Sequence, residues 1–200
     1  HSMVVNLHIG VGRAENFHQL GQRLARLDLI AQLKRIQPIH AVTFLQPPYS
    51  MLARDVESQI LPFCAQQNIG VICYSPMGKG LLTGSFTRAR AESLSEKDHR
   101  SRDPRFQPPQ LQINLEFVDR LNDIASGLGW SLTDLAISWT LRRPELTSAI
   151  VGARSPQQIR QTATAGDRML AADAVNTIEQ ALSTRDQQLA EIGGPAKPRV

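Results

Sequence analysis

Cysteine is scarce in this 200-residue chain: Cys64 and Cys73 are the only two, and they form no C-x-x-C pair. A disulfide framework is therefore not expected, and the two are read as buried thiols in a reducing compartment. Long apolar runs are missing too. No stretch of about 18 apolar residues and no basic-then-apolar leader is visible, so no membrane partner is expected and the setting is read as cytoplasmic. Positive charge is present without being concentrated. The formal net charge is +4, and no run of Lys or Arg alternates with aromatics. That pattern argues against nucleic acid as a partner while mildly favouring anionic ligands. His8, His18, His40 and His99 show no H-x-x-x-H spacing, so no metal site is expected.

What the chain does contain is an alternation of short β-rich runs with longer segments of helical period, the signature of βα units around a parallel sheet. The runs are Val4 to Val11, Ala41 to Leu45, Gly70 to Tyr74 and Thr147 to Val151. Helical period marks a segment ending near Ile36, residues 52–67, a stretch from Leu111 to Ala125, Thr133 to Arg142, residues 156–165 and about 173–192. Pro38 and Pro144 terminate two of these, and Ser131 with Asp134 forms a capping-box pattern at the start of another. Residues 85–109 are polar and lack period, which reads as one long loop of the kind that binds ligands or moves. The opening His-Ser-Met reads as a tag remnant (residues 1–3). Residues 4–192 are expected to form one α/β domain, and 193–200 a flexible tail. The count is about four parallel βα units, half of a (β/α)8-type barrel, and a whole barrel needs roughly 250 residues.

Three places could carry chemistry, all at the C-terminal ends of predicted strands, where ligands bind in barrels and open α/β sheets. After the fourth strand, Gly152 permits a close backbone approach. Ser155 suits an N-cap, Pro156 suits N1, and Gln158 at N3 completes a capping box. A helix starting there aims free N–H groups at an anion, and Arg154 adds a charge able to bind phosphate bidentately. An ordinary capped helix with a surface arginine explains the same residues. At the end of the third strand, Tyr74 can offer a flat face to a planar ring, and Gly78 and Gly80 let amides approach an anion. Packing of Tyr74 on a neighbouring helix is the alternative. Gln46, at the tip of the second strand, can pair with a carboxamide or bridge loop backbones.

The segments FLQPPYSML, ILPFCAQQNIGVICYSPMGKGLLTG, WSLTDLAISWTLRRP and AIVGARSPQQI occur in this order. Together they resemble successive blocks of the aldo-keto reductase family, over about two thirds of the chain. The resemblance implies that the four runs are strands five to eight of that barrel, a truncated family member. It also implies an NADP(H) site. Gln46 would hold the nicotinamide carboxamide and Tyr74 would stack on its ring. Ser75, Pro76, Met77, Gly78, Gly80 and Leu81 would line the pyrophosphate. Gly152, Arg154, Ser155, Gln158 and Thr162 would surround the adenosine and its 2′-phosphate. Two positions depart from the family: Gly12-Arg13-Ala14-Glu15 stand near its Ser-Asn pair, and Thr162 stands where it has Asn. The family's catalytic Asp, Tyr, Lys and His come from the first four strands, so no catalytic residue is assigned here.

A half-barrel leaves strand edges and an apolar inner face uncovered. A homodimer, or a second chain completing the barrel, is therefore expected. Three readings follow: an NADPH-dependent carbonyl reductase that needs another chain for turnover, a non-catalytic nicotinamide-binding module, and a structural half-barrel without tight ligand binding.

Overall fold

The structure, a computed structural model, describes residues 29–193. The tag-like start, the expected strand Val4 to Val11, the residues before Leu29 and the tail after Gly193 lie outside the described residues. Within them the chain is α/β, built on a parallel sheet of three strands in the order β1-β2-β3: β1 (Phe44–Leu45), β2 (Gly70–Tyr74) and β3 (Leu146–Ile150). The helices are α1 (Leu29–Ile36), α2 (Ile60–Gln66), α3 (Arg88–Glu92), α4 (Gln110–Gly127), α5 (Leu132–Leu141), α6 (Pro156–Thr164) and α7 (Ala172–Glu191). Parallel neighbours need crossovers, and α2 makes the first while α4 and α5 share the second.

Three strands, not four, stand among the described residues; the remaining one of the expected set is the run from Val4 to Val11. The strand expected over residues 41–45 shrinks to two. The Val42 N–H donates to Gln37 Oε1 at 2.9 Å, so the turn after α1, not a neighbouring strand, takes this donor. The helix expected over residues 52–67 is a 3-10 turn (Asp55–Glu57) followed by α2. Residues 85–109 are not one featureless loop. They hold α3 and two 3-10 turns, pinned by Phe86 and Phe106, buried rings packed edge to face at 4.9 Å.

Alternation along β2 sets the layers. Val71 and Cys73 are fully buried against the helices, while Ile72 is half-buried and Tyr74 exposed on the opposite face. One apolar cluster joins α1, α2 and the first two strands through Leu33, Leu45, Leu61 and Val71. A larger one lies under α4, α5 and α7, with Phe117, Trp139 and Ile178 near its centre. Gly70 is required by this packing: a Cβ there would fall 2.3 Å from the Phe44 ring. Both cysteines are buried free thiols, and burial pushes each thiol pKa up to about 11. No helix among the described residues is long and apolar enough to cross a membrane.

Candidate functional site

The tip of β2 is tied to the segment after β1. The Tyr74 N–H donates to the Pro47 carbonyl at 3.1 Å, and the Tyr74 carbonyl accepts from the Tyr49 N–H at 3.2 Å. This holds the Tyr74 ring at the sheet's end, 42% exposed, beside Ile150 of β3, its register partner. The chain then turns through four left-handed residues: Ser75 (φ 58°), Gly78 (φ 56°), Lys79 (φ 59°) and Gly80 (φ 94°). Two of the four are not glycine, and each such residue costs about 1 kcal/mol or more; strain of this kind gathers at ligand sites.

The tip of β3 leads to α6. Ser155 Oγ accepts from the Gln158 N–H at 3.2 Å, the expected N-cap. Gln158 does not reach back to the Ser155 N–H, as a capping box requires. Its Oε1 accepts from the Arg154 N–H at 2.7 Å, because the long amide side chain extends past the cap to the preceding residue. The reciprocal box is fully formed only at α5, between Ser131 and Asp134. Thr162 turns its hydroxyl back onto its own helix, donating to the carbonyls of Gln158 and Ile159 at 2.9 and 3.1 Å.

Between the two strand tips lies a cleft of about 810 Å³. It brings together nine of the residues singled out from sequence: Tyr74, Ser75, Pro76, Met77, Gly80, Gly152, Arg154, Gln158 and Thr162. Four others are placed elsewhere. Leu81 is fully buried in the core, and Gly78 opens onto an adjoining cleft of about 420 Å³. Ser155 is used as the cap, and Gln46, half-buried just after β1, lines neither cleft. Sequence reasoning missed Lys79, Thr83, Ser85, Arg90, Thr133 and Gln161, which also face the larger cleft. Gln161, one turn beyond Gln158, was within reach of helical spacing. Arg90 was not, since its segment shows no period.

Lys79, Arg90, Arg100 and Arg154 line the larger cleft, and no Asp or Glu does. Two of these cations are already paired with carboxylates. Arg100 forks onto Asp98 at 3.0 and 2.6 Å, and these bonds hold the Asp98 carboxyl well below the usual carboxylate range. Lys79 Nζ lies 2.9 Å from Asp103, which also takes a fork from Arg105 at 2.9 and 2.6 Å. Burial works against ionisation of Asp103, yet the bonds from Arg105 and Lys79 outweigh it and keep the pKa low. Arg90 and Arg154 have no carboxylate partner among the described residues.

Among the described residues neither tyrosine meets a Lys or His that would make it a proton donor to a ligand. Tyr49 is fully buried, donates to Glu57 Oε1 at 2.5 Å and accepts from Arg142 at 3.1 Å. Burial, then the Glu57 bond, push its pKa far up. Burial also raises that of Tyr74, and no Lys or His hydrogen-bonds its hydroxyl among the described residues. No cluster of three or more His, Cys, Asp or Glu among the described residues is placed to hold a metal. The arrangement can seat an extended ligand that carries separated negative charges and a flat ring.

A model of the Aldo/keto reductase family matches residues 24–183. The aldo-keto reductase YhdN of Bacillus subtilis (strain 168) is 33% identical over 134 residues, covering 66% of this chain and 39% of the relative. The solved structure of a glycerol dehydrogenase from Gluconobacter oxydans is similar with a TM-score of 0.69 and 27% identity, over 85% of this chain and 49% of that one. The chain thus spans half or less of the length of these relatives. Because the family match runs through both strand tips and the cleft between them, the chain belongs to the aldo/keto reductase family.

Proposed function

We propose that this chain is the cofactor half of an NADP(H)-dependent oxidoreductase of the aldo-keto reductase type. The observation that carries the reading is the cleft itself: four cationic side chains and no carboxylate line about 810 Å³, inside the roughly 300–1,000 Å³ typical of small-molecule sites. The residues present fit a dinucleotide. Tyr74 offers an exposed ring face, the left-handed turn from Ser75 to Gly80 offers backbone at close range, and Arg154 stands beside the start of α6. Bound NADPH supplies hydride for carbonyl reduction. The chain's own part is to orient the ring through Tyr74 and to hold the phosphates through its cations and backbone amides. Titration calorimetry with NADPH tests this: saturable binding is expected, and no binding at millimolar ligand sinks it.

Turnover is proposed to need a second chain or a second copy. In the four-unit half-barrel reading, Ile72, Tyr74, Ser148 and Ile150 share the uncovered sheet face, a surface that a completing half would bury. A second reading, a nicotinamide-binding module without catalysis, is favoured by Tyr49, whose hydroxyl is enclosed by Glu57 and Arg142 instead of facing a ligand. Carbonyl-dependent oxidation of NADPH by the chain with and without its completing partner separates the two.

A further inference from the structure

Among the side chains that residues 85–109 place in the cleft is Arg90, to which the sequence assigns no role. α3 begins just after Phe86, which is buried and packed on Phe106. Thr87 caps it by accepting from the Arg90 N–H at 3.2 Å. The helix carries two arginines, Arg88 and Arg90. At 3.6 residues per turn, positions two apart point about 200° from one another around the axis. Arg88 is committed to the α4 side, where Nη2 hydrogen-bonds Gln112. Arg90 therefore points the other way, into the cleft.

The charge inventory of the cleft singles it out. Arg100 is forked onto Asp98, and Lys79 shares Asp103 with Arg105, so both enter the cleft already bound to a carboxylate. Arg90 and Arg154 carry no carboxylate partner among the described residues. They also arrive on different segments, one following β2 and the other following β3. Two unneutralised cations from separate segments suit a ligand with two separate anionic groups.

We infer that Arg90 is a phosphate-binding residue of this cleft, holding an anionic group other than the one held by Arg154. The inference rests on the dinucleotide reading and assigns Arg90 the charge common to NAD and NADP, the pyrophosphate. A guanidinium free of carboxylates can fork onto phosphate oxygens, and exchanging it for a neutral amide removes a charge-assisted bond.

The test is calorimetric titration of the full chain with NADP+ and with NAD+, comparing wild type, Arg90→Gln, Arg88→Gln and Arg154→Gln. Arg90→Gln is expected to weaken both ligands by about tenfold and to flatten the dependence of affinity on salt. Arg88→Gln removes the same charge from the same short helix and is expected to stay within about twofold of wild type. Arg154→Gln is expected to weaken NADP+ more than NAD+. Arg90 is exposed, so its variant should keep the wild-type circular dichroism and melting curve. Should Arg90→Gln bind like wild type, or lose no more than Arg88→Gln, the assignment is overturned while the dinucleotide reading stands. A wild-type chain that binds neither ligand overturns that reading, and this assignment with it.

Discussion

Arg142 donates through Nη1 to the Tyr49 hydroxyl at 3.1 Å and to the Trp139 carbonyl at 2.8 Å, and through Nη2 to Glu179 at 3.0 Å. Its guanidinium carbon lies 3.6 Å from the centre of the Trp139 ring. One planar cation thus closes a knot joining the segment after β1 to α5 and α7, with Glu57 and Arg54 completing it. A lysine cannot make the fork and the stack together. Arg142→Leu is expected to cost about 2–4 kcal/mol in urea unfolding, somewhat below a fully buried pair because its side chain keeps some contact with solvent. Burial opposes ionisation of Glu57, but hydrogen bonds from Arg54 and Tyr49 outweigh it and lower its pKa. The stability from Glu57 is therefore fully present above the unfolded value of about 4.3 and is lost as pH falls through the lower folded value. Glu57→Gln should flatten that part of the acid limb. None of this was visible in the sequence, since Arg142 and Tyr49 are 93 residues apart.

β2 and β3 illustrate the element scale. Their register runs Val71 to Leu146 and then Ile72 to Ser148, so Thr147 is the extra residue of a bulge. The bulge would leave the Val71 N–H without a ladder acceptor, and Thr147 supplies one: its Oγ1 accepts that proton at 3.2 Å. Thr147→Val keeps the shape and removes the acceptor. It is expected to destabilise by about 1–3 kcal/mol and to speed amide exchange at Val71, whereas Thr147→Ser should restore most of the loss. The strands themselves were legible, since Gly70 to Tyr74 stands as read and β3 is displaced by one residue. The bulge was not, because period-2 patterning carries no information about the partner strand. The same limit explains residues 52–67, where Glu57 is claimed by Tyr49 and Arg54 and the apolar period runs on regardless.

At the scale of the whole molecule, the described sheet is covered by helices on one side, and every residue of β3 is at least partly exposed. Ile150 is 45% exposed beside Tyr74 at the mouth of the cleft. An edge strand with an uncovered apolar face tends to associate. Sedimentation of the chain at micromolar concentration is expected to show a dimer or larger species. A single monomeric species with one cooperative unfolding transition would remove the argument for a completing partner. The family match and the relatives support the parallel α/β architecture, and a completing half remains the proposal that the open face motivates.

The sequence by itself determined the α/β character, the order of elements, the caps at Ser131 and Ser155, and the gathering of candidate site residues at strand tips. These depend on neighbours within a few residues along the chain, and period, proline and capping chemistry record such neighbours directly. Only the tertiary structure decided which of those residues share a cleft. It sent Leu81 into the core, turned Gly78 toward a second hollow, and gave Gln158 to Arg154 instead of the cap. It also paired Arg100 and Lys79 with carboxylates while leaving Arg90 and Arg154 without one among the described residues. The reason is physical. A side chain's charge is cancelled or exposed by groups near it in space, and those groups are set by packing between segments, not by spacing within one.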